Sequence, residues 1–95
     1  MIIELKKFGK LLTSRQAGKE ALAAISSQLP QENNEKIIID FLEITTFSPS
    51  WGDEFLSPLQ KKYTNNLFLK NTSNSSVKAS IEILEETNEI KFQVE

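Results

Sequence analysis

Lys36-Ile37-Ile38-Ile39-Asp40-Phe41 follows a polar loop at 31–35 and holds an unbroken β-branched run, Ile37 to Ile39. β-Branched side chains lose χ1 freedom in a helix and pack well on a pleated surface. A run this short, with no polar alternation, is read as a central strand covered on both faces, as in a parallel sheet. The flanking segments must then supply the covering layers.

Upstream, residues 2–5 read as a short strand and Gly9 as a turn. Thr13 followed by Gln16 fits a capping box that opens a helix reaching about Leu29, with Pro30 beyond its end. The inward stripe of this helix is Leu22, Ile25 and Leu29, widened by Ala17, Ala21 and Ala24. Gly18 lies on the same side and costs roughly 1 kcal/mol in a helix interior. Close approach of the helix to the sheet is the expected reason for it.

Downstream, residues 42–47 lead out of the strand and a second helix starts near 48–50. Trp51, Phe55 and Leu59 recur every four residues, with Leu56 and Tyr63 alongside, and Pro58 is expected to kink or break the helix. Leu67-Phe68-Leu69 reads as a buried strand and 71–76 as a loop. Residues 77–84 fit two periods, since Val77, Ala79, Ile81 and Ile83 alternate while Val77, Ile81 and Leu84 form a helical stripe. Ile90, Phe92 and Val94 alternate with polar residues, as in a one-sided strand near an edge. The order β-α-β-α-β-(α)-β predicts a single-domain α/β fold. Its central sheet is expected to be largely parallel or mixed, with four to five strands, two to three helices and right-handed crossovers.

The chain has 95 residues, which is one domain with a thin core. Its 11 basic and 13 acidic residues give a net charge of −2, so nothing draws it globally to nucleic acid. Arg15 is the only arginine, which removes most bidentate phosphate-gripping chemistry. Without cysteine or histidine, disulfides, thiolate sites and imidazole catalysis are excluded. No glycine-rich phosphate loop and no metal-ligand spacing is present, so no cofactor and no catalytic residue is expected. Residues 1–7 are interrupted by charge and are not read as a signal peptide. No apolar run nears the roughly 20 residues of a membrane span, and a cytoplasmic location is the expectation.

Candidate functional residues gather after the central strand. Ser48, with Pro49 at the first helical position, or Ser50, with Asp53 three residues on, is placed to cap the second helix. Asp53 and Glu54 near its start suit the helix dipole. Trp51 is either core or an anchor for a partner, because aromatic residues are enriched in binding hot spots. Arg15 stands in the first turn of its helix, where a cation is disfavoured. It is expected to stay on a solvated face, to pair with Asp40 or Asp53, or to meet a partner. Asp40 ends its strand at the edge where open α/β sheets carry their sites. With Glu43, Asp53 and Glu54 it forms the only carboxylate cluster visible in the sequence.

Two segments carry a family resemblance. One is Gly9-Lys10-Leu11-Leu12-Thr13-Ser14-Arg15-Gln16-Ala17. The other is Ile38-Ile39-Asp40-Phe41-Leu42-Glu43-Ile44, continued by Ser48-Pro49-Ser50-Trp51-Gly52-Asp53-Glu54-Phe55. Together they resemble the bacterial STAS-like domain family of unknown function, over roughly residues 1–86, with Asn71 and Val77 fitting the tail of the pattern loosely. The resemblance implies a STAS-like fold and favours a helix at 77–84. It is shared more distantly with true STAS domains, the anti-sigma-factor antagonists. In those, a serine at the start of the helix after a central strand is phosphorylated by a histidine-kinase-like ATPase. Here the aspartate that usually precedes that serine is replaced by Ser48 or Pro49, and Ser50 is the nearest phosphorylation candidate.

The resulting expectation is a small regulatory protein-interaction module, not an enzyme. Its partner-binding surface would comprise Ser48, Ser50, Trp51, Asp53, Glu54 and Arg15. Its partner would be a protein, with a histidine-kinase-like ATPase implied by the resemblance, and neither nucleic acid nor a membrane. Two alternatives from other classes are a carboxylate-based enzyme using Asp40, Asp53 and Glu54, and a self-associating homo-oligomer pairing through its last strand.

Overall fold

A computed structural model describes residues 1–32 and 34–95. The expected 31–35 loop includes Asn33, which lies outside the described residues. The chain runs β1 (Ile2–Glu4), a 3-10 turn, β2 (Leu11–Leu12), α1 (Arg15–Ile25), a second 3-10 turn, and β3 (Ile37–Asp40). It continues through β4 (Thr46–Phe47), α2 (Pro49–Tyr63), a third 3-10 turn, β5 (Leu67–Lys70), α3 (Ser75–Asn88) and β6 (Gln93–Val94).

Four strands form one sheet in the order β1-β3-β5-β6, and every pairing is parallel. Of the two expected arrangements, largely parallel or mixed, the sheet is the parallel one, and β3 is internal as the apolar run required. The order advances in one direction at every crossover. Right-handed crossovers that all advance the same way place all their helices on the same face. Burial follows that rule. Ile3, Ile37, Ile39, Leu67 and Leu69 are buried under the helices, while Ile38 and Phe68 are half-buried and Ile2 is 59% exposed. The expectation that β3 is covered on both faces is thus corrected: one face is covered and the other is open.

The helical layer is built from the stripes legible in the sequence. Trp51, Phe55, Leu56, Leu59 and Tyr63 of α2 are all buried, and Trp51 stacks on Phe55 with ring centroids 4.7 Å apart. The Tyr63 hydroxyl donates to the Pro30 carbonyl at 2.6 Å and ties the end of α2 to the end of the first crossover. Pro58 does not break α2, which runs through it. Residues 77–84 are helical, with Val77, Ile81 and Leu84 facing the core. In α1 the buried positions are Gly18, Ala21 and Ile25, Leu22 is half-buried, and Ala17 and Ala24 are exposed. The helix ends at Ile25, short of the expected Leu29, and a 3-10 turn completes the distance. Gly18 marks an approach to α2 and not to the sheet. A Cβ there would lie 2.5 Å from the Trp51 carbonyl oxygen. No helix among the described residues is long and apolar enough to cross a membrane.

Candidate functional site

Two short strands that the sequence pattern does not announce set the position of the site. β2 and β4 pair in parallel, Leu11 with Thr46 and Leu12 with Phe47. The backbone N–H of Ser48 then donates to Leu12 O at 2.9 Å, and the Ser48 hydroxyl donates to Thr13 O at 2.7 Å. Each strand leads directly into a helix, so the amino ends of α1 and α2 start side by side. Ser14, not Thr13, caps α1 by accepting from Ala17 N–H at 3.1 Å. Ser48 caps α2 by accepting from Trp51 N–H, with Pro49 at the first helical position. Ser48 is thereby committed twice to structure.

Arg15 is explained by this pairing. Its position at the start of α1 disfavours a cation, but its Nη1 donates to Asp53 Oδ2 and Glu54 Oε1 of α2, each at 3.0 Å. Asp40 is not its partner. Asp53 and Glu54 sit one turn into α2, beyond the first turn where the dipole acts strongly, so Arg15 and not the helix end is their main electrostatic company. Asp53 also accepts from the Ser57 hydroxyl at 3.3 Å, and Asn88 of α3 donates to Ser57 Oγ at 3.3 Å. A polar chain therefore links all three helices.

The hydrogen bond from Arg15 holds the Asp53 carboxyl below its ordinary value of 3.8, against the opposing effect of partial burial. The unfolded chain therefore takes up the proton first as pH falls. The contribution of the clamp is fully present above about pH 4 and is lost as pH drops through the lower folded value. The melting temperature is expected to fall on acidification below about pH 4, and Asp53→Asn is expected to flatten part of that fall. The effect is small, because Arg15 and Asp53 side chains are 53% and 38% exposed and water screens the pair. An acid limb of identical steepness in both proteins, followed by thermal melts, would count against the clamp.

Trp51 is 1% exposed, and its ring lies among Phe8, Phe47 and Phe55. It is a core residue, which corrects its place among the partner-contacting side chains. Ser50 is half-buried at the second helical position, and its hydroxyl makes no hydrogen bond among the described residues. With Arg15, Pro49 and Asp53 it borders an open groove of about 200 Å³ against Ile83, Leu84 and Thr87 of α3. Ile83 is 47% exposed there. Its part in the groove was readable in principle, because it falls off the Val77, Ile81, Leu84 stripe, but which element it would face was not.

Asp40 belongs to a separate arrangement. It accepts from Leu42 N–H at 2.9 Å and from Asn71 Nδ2 at 2.8 Å, and so fastens the turns that follow β3 and β5. Glu43, with φ of 67°, pairs with Lys6 at 3.0 Å and Lys10 at 3.6 Å. The Lys6 hydrogen bond holds the Glu43 carboxyl below its ordinary range. Asp40 therefore shares no hydrogen-bond partner with Asp53 or Glu54. Among the described residues no group of three acidic, histidine or cysteine side chains is placed to hold a metal.

No protein-family model, no curated protein and no solved structure matches this chain.

Proposed function

We propose that this chain is a regulatory protein-interaction module of the STAS-like kind, and that it docks a protein partner at the start of α2. The observation that carries this reading is the division of labour between the two serines. Ser48 is consumed by the cap and by Thr13, whereas Ser50 stands open at the mouth of the groove. Pro49, Ile83 and Leu84 offer an apolar floor there, and Arg15 and Asp53 a charged rim. Such a combination suits a binding surface, where apolar anchors supply affinity and charges set orientation. A phosphate on Ser50 would meet the positive helix end and Arg15, and would compete with Asp53 and Glu54 for that arginine. The partner class follows from the resemblance alone and is a histidine-kinase-like ATPase.

The test is calorimetric titration of a histidine-kinase-like ATPase with wild type, Asp53→Lys and Ser50→Asp proteins. Asp53→Lys is expected to weaken the complex at least tenfold, or about 1.4 kcal/mol. Its thermal stability should change by no more than an exposed ion pair is worth, about 1 kcal/mol or less. Equal affinity for all three proteins removes this surface from consideration. Mass spectrometry of the native protein decides separately whether Ser50 carries phosphate.

A further inference from the structure

We propose that the open face of the four-stranded sheet docks a second copy of this chain. Parallel sheets are normally covered on both faces, and here the one-directional strand order leaves one face without helices. Ile2, Ile38 and Phe68 share one level of the register and form an apolar row across three strands. One level further, Glu4, Asp40 and Lys70 share a second row, acidic on the β1 side and basic on the β5 side. Lys36 is draped over this face, its Nζ 4.8 Å from the Phe68 ring centre and 2.6 Å from Glu95. Its ammonium thus lies over the Phe68 ring on the side where a covering layer is missing.

A second copy fits because the charges on the face are complementary to themselves. A two-fold axis parallel to the strands and above β3 lays β1 of one copy over β5 of the other. Ile2 then meets Phe68, Ile38 meets Ile38, and Glu4 meets Lys70. Neither charge is well satisfied within one copy. Glu4 reaches only Lys7, at 3.9 Å, and Lys70 has no acidic partner within 4 Å among the described residues. Asp40, which falls at the axis, is already turned into its own loop by Leu42 and Asn71. Sheets stack in this way at about 10 Å with the strands near −30°. The result is a four-layer particle with helices outside. The strands are short, so the interface belongs to the small, dissociable class. This surface is distinct from the last strand's edge and from the groove at α2, and it does not depend on the function proposed above.

The test is sedimentation equilibrium of the whole chain from about 10 μM to about 1 mM, the range in which small interfaces dissociate. Wild type is expected to move from 10.8 kDa toward twice that mass as concentration rises. Ile2→Asp, at an exposed position that folding does not require, is expected to abolish the dimer. Glu4→Lys and Lys70→Glu are each expected to weaken it at least tenfold, and the double exchange to recover it. The proposal is overturned if wild type stays monomeric throughout, if Ile2→Asp leaves the dimer intact, or if the double exchange binds no better than the single ones.

Discussion

Replacing Ile39 with alanine is expected to lower the unfolding free energy by about 2–5 kcal/mol. The side chain is 0% exposed and belongs to an inner strand, between Ile3 of β1 and Leu69 of β5 at the same level. Removing three carbons loses their transfer free energy and leaves a cavity that backbone paired on both sides cannot close. Ile38→Ala is the matched comparison. It removes the same atoms from the same strand, but on the open face, where water already reaches the side chain. Its cost should be about 1 kcal/mol, near the lower end of the transfer term alone. Urea titrations at a protein concentration below about 10 μM separate the two. A loss below about 1 kcal/mol for Ile39→Ala would contradict its burial, and equal losses at both positions would contradict the one-sided sheet.

Gly18→Ala is expected to destabilise the protein by about 1–3 kcal/mol, even though alanine is better than glycine by about 1 kcal/mol in a helix. The added methyl would meet the Trp51 carbonyl oxygen at 2.5 Å, its Cα at 3.1 Å and its carbonyl carbon at 3.2 Å. All three are backbone atoms, so no rotamer change relieves the contact. α1 must move away from α2 and strain the β2–β4 pairing and the Arg15 clamp, which join the same two segments. Gly9→Ala makes the contrast. Gly9 has φ of +114° with open space around it, so its cost is backbone strain without a clash. Thermal melts of the two variants report the difference. A Gly18→Ala protein at least as stable as wild type would show that the helices give way freely.

Local pattern carried much of this fold. The Ile37–Asp40 strand was legible because strand preference and turn boundaries act within a few residues. The α2 stripe of Trp51, Phe55, Leu59 and Tyr63 was legible because a helix repeats every 3.6 residues. The turn at Gly9 and the serine cap of α2 were legible because they follow from backbone geometry. Residues 77–84 fitted both periods, and only packing against α2 chose between them.

Everything that depended on which segments meet was decided by the tertiary structure. β2 and β4 are two residues each, too short to show a period, and exist because chain segments 35 positions apart zip together. That pairing chose Ser48 over Ser50 as the cap of α2 and left the Ser50 hydroxyl open. It also gave Arg15 to Asp53 and Glu54 while Asp40 went to Asn71, a choice among carboxylates that no spacing encodes. Trp51 was core or anchor by its own periodicity and became core because Phe8 and Phe47 close over it. The apolar run at β3 specified a strand and its depth in the sheet. The direction in which successive crossovers advance decided that only one of its faces would be covered, because handedness is a property of the path between strands and not of the residues within them.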